Sequence, residues 1–405
     1  MKLIKKAICI TLAMSMSLGL VACGGNDDKD SAKGGAQNTQ SKVETAKNEM
    51  ADCTYREDSS FSLSGIVGDT NNFVATKDNI YIVANETAAA TASDADAEFD
   101  GIQLGEGVVS RLYKVPLSGG SAEQLFESSE DDASFISNLG VGYDGSALAV
   151  ICDGDSYMLM KLEDDGAKDL GDITKLVEFD DNNLDYLFSD KDGNIVIGYE
   201  GMSSAIKVFD SSLTEKSSCK SEDTILSAGL DANGDVIVAT VEYGEDYTDA
   251  ALSVRKLDVN TGSLSDKHSI DVSDITYGTH LMQGDGGYDF FFVSGSSVYG
   301  YNFEGEKTTK VVDYISSNVN GGGVDSCWMA GLNSFVISEF DANTYDMLPG
   351  VRKFDKVDPS EVANKKIMTL ATIYGGSSLT QAAIDFNNSQ NDTMIEIIDY
   401  SGNKT

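Results

Sequence analysis

The chain has 405 residues, and its 66 Asp and Glu residues against 29 Lys and Arg residues give a formal charge of −37. A surface this acidic repels phosphate backbones and anionic lipid head groups, which excludes nucleic acid as a partner. Apart from a leader and a polar segment at its start, the length allows one large domain and one small unit.

Residues 1–22 have the pattern of a secretory signal peptide. A lysine-rich start precedes an apolar run over 7–18, which is too short to be a membrane-spanning helix with the usual flanks. The run closes on Leu20-Val-Ala-Cys23, which resembles the lipobox of bacterial lipoproteins. The resemblance implies a lipid on Cys23 and anchoring at the extracytoplasmic face of the cell membrane. An ordinary signal peptide with a chance cysteine is the alternative.

Residues 23–52 are predicted to be a disordered tether, because they contain almost no large apolar side chain to offset the chain entropy. The cysteines that follow are scattered singly, without a paired spacing or a nearby histidine, which argues against a zinc site. Export permits disulfides, and four cysteines allow three pairings. A buried thiol in a strand is expected for Cys152. The four are Cys53, Cys152, Cys219 and Cys327.

Residues 53–362 are predicted to be a mainly β domain built from six repeated units. Each unit has a continuously apolar strand and then a strand that alternates more. The apolar strands begin at Asn79, Ala147, Asn194, Asp235, Asp289 and Ser334. Their partners end at Val115, Leu162, Phe209, Leu257, Tyr301 and Phe354.

The period of these units predicts the architecture. The partner strands recur at steps of 47, 47, 48, 44 and 53 residues, and such repeats are typical of propeller blades. We expect a β-propeller-like domain of six to eight blades, with closure that can use a strand from the other end of the chain. A β-sandwich with long hairpins is the alternative, although its turns recur every 8–12 residues without a longer period. The single Trp328 excludes the WD-type families.

The chain carries no recognisable catalytic or cofactor motif, and we expect no enzyme activity, no cofactor and no metal. Its two histidines, His268 and His280, are expected to be packed or exposed rather than catalytic. The segment Asp190-Lys-Asp-Gly-Asn194 places oxygens at alternate positions, but its glycine falls too early for a calcium loop. Like Asp144-Gly145 and Asn233-Gly234, it is predicted to be a hairpin turn. The insertion over 85–107 is expected to be a disordered loop, with a binding loop as the alternative.

Residues 363–405 are predicted to form a βαβ unit, which pairs its strands in parallel. Apolar strands are expected over 367–373 and 394–398, with an apolar helix face between them. Ser378 and Gln381 have the spacing of a capping box. Parallel strands need both faces covered, so this unit either borrows packing from the preceding domain or is the start of a longer one.

This tail resembles the start of the binding domain of family 1 extracellular solute-binding proteins. The resemblance rests on Lys366-Ile-Met-Thr-Leu-Ala-Thr-Ile-Tyr-Gly, on Leu379-Thr-Gln-Ala-Ala-Ile-Asp-Phe-Asn-Asn and on Ile395-Glu-Ile-Ile-Asp-Tyr400. It covers about forty residues, and a complete domain of that family has two α/β lobes that close on the ligand. The resemblance therefore implies a solute-binding domain that is truncated early.

The resemblance also implies ligand-binding residues and partners. In open α/β sheets ligands bind beyond the carboxyl ends of the strands. The implied residues are Tyr374, Gly375, Gly376, Ser377, Tyr400 and Ser401. Gly375-Gly376 as a simple strand-to-helix turn is the alternative. The implied partners are a small solute, in particular a carbohydrate, and the permease subunits of an ABC importer. A cell-surface propeller that binds a protein or glycan, without a transport role, is the alternative function.

Overall fold

The computed structural model describes residues 50–87, 108–128, 134–154, 156–163, 166–176, 184–199, 205–219, 221–243, 250–270, 280–341, 347–373 and 376–399. Within these ranges, residues 50–52 are helical, Gly321–Gly323 form a 3-10 turn, and the α-helices are α1 (Pro359–Ala363) and α2 (Ser377–Ser389). The described helices include none that is both apolar and long enough to cross a membrane.

Twenty-eight strands lie in the described ranges. The first fourteen are β1 (Tyr55–Glu57), β2 (Leu63–Ser64), β3 (Asp69–Ala75), β4 (Asn79–Thr87), β5 (Val108–Pro116), β6 (Gly120–Ser121), β7 (Glu123–Glu127), β8 (Ser134–Gly142), β9 (Ala147–Asp153), β10 (Ser156–Glu163), β11 (Gly166–Asp172), β12 (Leu184–Ser189), β13 (Ile195–Tyr199) and β14 (Ala205–Phe209). The others are β15 (Glu215–Cys219), β16 (Thr224–Leu230), β17 (Val236–Tyr243), β18 (Ala250–Lys256), β19 (His268–Ser269), β20 (Leu281–Gln283), β21 (Phe290–Ser294), β22 (Ser297–Asn302), β23 (Lys307–Asp313), β24 (Val324–Met329), β25 (Ser334–Glu339), β26 (Arg352–Lys356), β27 (Lys366–Thr372) and β28 (Thr393–Asp399).

Six four-stranded antiparallel units form the blades of a propeller, which confirms the predicted fold at six blades within the described residues. Blade 1 is β3-β4-β5-β7, blade 2 is β8 to β11, blade 3 is β12 to β15, blade 4 is β16 to β19, and blade 5 is β20 to β23. Blade 6 is β24-β25-β26 completed by β1. Each innermost strand contacts the innermost strand of the next blade, and β24 contacts β3, so the ring is closed around a central channel.

The closing strand comes from the other end of the chain, as the sequence led us to expect. β1 pairs antiparallel with β26, with Tyr55 opposite Lys356 and Glu57 opposite Phe354. Tyr55 is fully buried, donates its hydroxyl to the carbonyl of Leu332 at 2.7 Å and packs edge-on against Phe335. The first and the last strand of the propeller are therefore paired in one sheet.

The apolar cores of the propeller lie between the blades. One core joins each pair of neighbouring blades, from blades 1 and 2 round to blades 6 and 1. The second strand of a blade supplies both of its flanking cores, because successive side chains point to opposite faces. In β9, for example, Leu148 and Val150 enter the core shared with blade 3, while Ala147 and Ala149 enter the core shared with blade 1. This explains why these strands are largely apolar, without a period of two.

The two strands of each sequence unit correspond to the second and third strands of a blade. The repeat analysis missed the other two strands. Innermost strands such as β3 have polar residues in their first halves, and the outermost strands are short or exposed, as in β11 and β15. Neither gives a clear apolar period, so only the middle of each blade was visible in the sequence.

The acidic turns are hairpin turns, as predicted. The Asp190 carboxylate accepts hydrogen bonds from the backbone N–H groups of Asp192 at 2.9 Å and Asn194 at 2.8 Å. Gly193 has a φ of 77°, in the region that favours glycine. The Asp190 oxygens therefore stabilise the turn itself.

All four cysteines of the folded part are buried thiols without a disulfide, which confirms the expectation for Cys152. Burial raises the pKa of both Cys53 and Cys327 to about 12, and in Cys53 the nearby Asp313 adds to the effect. These thiols are protonated at neutral pH and are unsuited to nucleophilic chemistry.

The tail forms the predicted βαβ unit. β27 and β28 pair in parallel from Lys366 opposite Thr393 to Thr372 opposite Asp399, and α2 connects them. The predicted capping box is wrong: α2 begins at Ser377 with Gly376 as its N-cap residue, and no side chain caps it. The Gln381 side chain instead donates to Asp385 at 3.0 Å, because Ser378 already lies inside the first turn.

The βαβ unit borrows part of its packing from the propeller. On one face of its sheet, Ile395 packs with Ala383 and Ile384 of α2 and with Ile315, which follows blade 5. On the other face, Ile367 and Met394 pack with a group from outside the unit. That group is Met50, Ala51, Val357 and Val362. Cover is lost toward the carboxyl ends of the strands, where Ile373 is 81% exposed and Ile398 is 37% exposed.

Candidate functional site

Most of the residues singled out from the sequence lie outside the described ranges. These are Cys23, Tyr374, Gly375, Tyr400 and Ser401. Gly376 and Ser377 are described, and they form the start of α2, directly after the carboxyl end of β27. Their position in the βαβ unit is the one expected for residues at the edge of an α/β cleft.

The first turn of α2 contacts the propeller at the loop that leads into β24. Asn320 donates through its side-chain amide to the Ser377 carbonyl at 3.4 Å and to Oε1 of Gln381 at 3.2 Å, and its own oxygen accepts from the Gly322 N–H at 3.2 Å. A Cβ atom on Gly322 would lie 3.2 Å from the Cβ of Ser377. Ser377 therefore belongs to a close contact between the βαβ unit and blade 6.

The innermost strands carry a second group of polar residues, arranged by a repeated irregularity. In five of the six blades the pairing of the innermost strand with the second strand shifts by one residue near its start. Such bulges leave one residue unpaired and redirect side chains, and they are enriched next to active sites. The bulged residues are Asn71, Ser137, Asp185, Leu226 and Asp325. All of them lie at the same end of the channel, which we call the channel mouth.

The channel mouth is acidic and rich in amides. Asp69, Asn71 and Asn72 at the start of β3 are exposed, as are Asp185 and Asp325. Asp325 accepts a hydrogen bond from the Ser338 hydroxyl at 2.9 Å. None of the six innermost strands contains a Lys or Arg residue. The mouth can thus accept and donate hydrogen bonds, and its charge disfavours anionic ligands.

Deeper in the channel lies the only tryptophan of the chain. Trp328 on β24 is partly buried and contacts the cores of blades 5 and 6, of blades 6 and 1, and of blades 1 and 2. A side chain of one innermost strand that reaches three cores lies across the channel. The exposed His280, which precedes β20, lies nearly parallel to it, with ring centroids 6.3 Å apart and ring planes at 14°.

A charged cluster occupies the opposite end of blades 3 to 5. Lys256 donates to Asp231 at 2.6 Å and to Asp235 at 3.1 Å, and Asp235 also accepts from Lys191. Burial lowers the pKa of Lys256, but these bonds outweigh it and leave the pKa above its usual value. The amine stays charged and lies 5.2 Å from the centre of the Phe303 ring. A shallow cavity of about 330 Å³ opens beside it. The bonds join neighbouring blades, and we assign the cluster a structural role.

The channel residues were not recognisable from the sequence. There, Trp328 only excluded certain families, and His280 was expected to be packed or exposed. Their relation depends on the ring closure, which brings β20 and β24 together from two blades. The one sequence feature that pointed to the channel was the position of the only tryptophan, in a segment that precedes an apolar strand.

No protein-family model and no curated protein matches the chain. Among solved structures, it is similar to a protein of unknown function from Bacteroides caccae, with 15% identity over 62% of this chain and 88% of that one, at a TM-score of 0.40. It is also similar to the β-propeller domain of the Trilobed protease from Pyrococcus furiosus, with 10% identity over 70% and 85% and a TM-score of 0.42. A putative gluconolactonase gives 10% identity over 75% and 97% and a TM-score of 0.38. These values transfer no ligand or activity to this chain.

Proposed function

We propose that the chain is the N-terminal part of a lipid-anchored extracytoplasmic solute-binding protein of an ABC importer, with a carbohydrate as its solute. In this proposal the propeller is a platform and the βαβ unit is the first part of the solute-binding domain. The protein binds its solute without transforming it, since the sequence offers no catalytic motif.

The shared core between the βαβ unit and the propeller carries this proposal. Ile367 and Met394 pack against Met50 and Val357, so the unit is held by a shared apolar core and not only by the connecting chain. The apolar residues Ile373 and Ile398 remain exposed at the carboxyl ends of the strands. Further α/β elements would cover such a surface, and ligands of open α/β sheets bind beyond the same strand ends.

Two experiments test the proposal. Metabolic labelling with a fatty-acid analogue should label the wild-type protein and should fail to label the Cys23→Ala variant, which should also leave the membrane fraction. The protein encoded by the complete reading frame should bind a sugar in calorimetry and should co-purify with permease subunits. Labelling that is unchanged in the Cys23→Ala variant would contradict the proposed lipid anchor. Absence of both sugar binding and permease binding would contradict the proposed transport role.

The alternative function is a surface propeller that binds a glycan or a protein partner. The observation that favours it is the channel mouth, where exposed amides and carboxylates surround the path to Trp328. Under this alternative, a sugar that binds should do so through the propeller, and permease subunits should be absent from the purified complex.

A further inference from the structure

We infer that the propeller channel is a binding site for a neutral oligosaccharide, with Trp328 and His280 as its floor and the exposed polar residues at the starts of the innermost strands, Asn71, Asn72, Asp185 and Asp325, as its rim. This site is separate from the βαβ unit and does not rest on the importer proposal. Three features of the channel support this site, namely its aromatic residues, its hydrogen-bonding groups and its charge.

The floor offers aromatic faces within a ring of polar groups. Trp328 is held by three inter-blade cores, so its ring has a fixed orientation, and His280 beside it is exposed. Ligand sites commonly combine apolar and aromatic walls with a few placed polar groups. A sugar ring suits this combination, since it presents C–H groups on its faces and hydroxyl groups at its edge.

The rim supplies the partners that hydroxyl groups need. Asn71 and Asn72 are exposed side by side because of the bulge in β3, and among the described residues neither makes a side-chain hydrogen bond. Each amide offers two donors and an acceptor, and hydroxyl groups can bind both. The carboxylates of Asp185 and Asp325 add further acceptors.

The charge of the channel selects a neutral ligand over an anionic one. The innermost strands contain Asp69, Asp185 and Asp325 and no basic residue. A uronate, phosphate or sulfate would therefore be repelled by the carboxylates of the rim, within a chain of formal charge −37. A neutral sugar has no such penalty.

The depth of the site requires more than one sugar ring. Along β24, Trp328 lies three positions beyond the bulged Asp325, which at strand spacing is about 10 Å. A ligand that touches both the rim and the floor must cover this distance. We therefore expect an oligosaccharide to bind more tightly than its monosaccharide unit.

The single tryptophan makes the test direct. The unlipidated mature chain (Cys23→Ala) is titrated with malto-, cello- and xylo-oligosaccharides while Trp328 emission is followed, and heats are measured by calorimetry. At least one of these neutral series should change the emission saturably. The Asn71→Ala, Asn72→Ala double variant should weaken binding about ten-fold, as expected for lost hydrogen bonds. Trp328→Phe should weaken the calorimetric binding while keeping most of the packing.

The matched control is Asn333→Ala, which removes an exposed asparagine from the turn between β24 and β25, at the opposite end of the blades. It should leave the affinity unchanged. Circular dichroism of each variant shows whether it is folded. The inference would be overturned if Asn333→Ala weakened binding as much as the Asn71→Ala, Asn72→Ala double variant does. It would also be overturned if none of the three sugar series changed the Trp328 emission.

Charged sugars and the βαβ unit provide the remaining comparisons. Oligogalacturonate, which is anionic, should not bind. If cationic chitosan oligomers bound and the neutral series did not, the rim would only attract cations, and the inference would be wrong. A solute held by the βαβ unit alone would give heat without an emission change and would be insensitive to Asn71→Ala. Failure of the channel site is thereby distinguished from failure of the importer proposal.

Discussion

Asn387 joins the helix and the second strand of the βαβ unit through a buried amide. Its side chain donates to the Ile395 carbonyl at 3.2 Å and accepts from the Ile395 N–H at 2.6 Å. These two backbone groups lie on the side of β28 that does not face β27, where no other strand is described. One asparagine thus replaces a neighbouring strand at this position.

We expect Asn387→Ala to destabilise the βαβ unit by about 2 kcal/mol, because it leaves two backbone groups of Ile395 without a partner. The control is Asn388→Ala, the exposed asparagine next along the same helix. Hydrogen exchange of α2 and β28 should accelerate in the first variant and remain at the wild-type rate in the second. Equal effects of the two variants would contradict the role given to the amide.

Asp58 fixes the end of the closing strand through charge. Its carboxylate accepts from the Ser60 hydroxyl at 2.5 Å and from Lys353 at 2.9 Å, and Lys353 is almost fully buried. The Ser60 bond, followed by the Lys353 bond, lowers the pKa of Asp58 from its ordinary value of 3.8 to about 2. The carboxylate is therefore a stronger acid in the folded state than in the unfolded one.

A group with a lowered pKa stabilises the fold above its unfolded pKa and loses that effect as the pH falls through its folded value. We expect Asp58→Asn to cost about 1 kcal/mol at pH 7, after allowance for solvent screening. The difference from wild type should shrink between pH 4 and pH 2. Urea unfolding at several pH values measures it. Asp78→Asn, at an exposed turn, makes the same charge change and should give a smaller difference in stability at pH 7.

The more apolar a strand of a blade is, the more clearly the sequence predicted it. The second strands, such as β9 and β17, are buried on both faces and give the clearest sequence signal. The innermost strands were missed because five of the six carry a bulge near their start, which breaks the period of two. The cap of α2 was assigned two residues too late, at Ser378, since the real N-cap is Gly376, which has no side-chain bond. The channel floor was beyond sequence analysis, because Trp328 and His280 meet only in the closed ring.

The βαβ sheet is covered at one end and open at the other. Met394 is buried against Met50 and Val362, whereas Ile398 on the same strand is exposed. From the sequence alone, this cover could come from the preceding domain or from further chain. Residues outside the unit supply it at one end, and we therefore expect slow hydrogen exchange near Ile367 and Met394 and faster exchange toward the carboxyl ends of the strands.

The matched pair Met394→Ala and Ile398→Ala tests this asymmetry. Met394→Ala removes a fully buried side chain from the shared core and should cost about 3 kcal/mol. It should also accelerate exchange at residues 50–52, which pack on the same core. Ile398→Ala should change stability by less than about 1 kcal/mol. If the exchange of residues 50–52 is unaffected by Met394→Ala, the core is not shared in solution.

At the scale of the whole molecule, stability depends on a short N-terminal strand. β1 has three residues, but it completes blade 6, and Tyr55 fills the core between blades 5 and 6. The cation–π contact of Arg352 with Phe354, at 5.0 Å, and its ion pair with Glu57, at 2.6 Å, lie on the same pair of strands. Without β1, the backbone of β26 would be an open edge.

We expect a chain that starts at Asp58 to lose at least about 4 kcal/mol of stability, chiefly through loss of the buried Tyr55. It should also associate through the open edge of β26, which size-exclusion chromatography detects. The control is a chain that starts at Lys47 and therefore keeps β1. Equal stability and a monomeric state for both chains would contradict the closing role of β1.

The pairing of Tyr55 with Lys356 also affects how the protein folds, because these partners are 301 positions apart along the chain. Contacts between such distant residues form slowly, since the entropy of closing the loop is lost before the contact stabilises anything. Blade 6 can be completed only after the other five blades have been synthesised, although β1 is synthesised first. Until then β1 has no strand to pair with. The last step of folding is then the capture of the first strand, and a chaperone or an export route that delays aggregation would act in that interval.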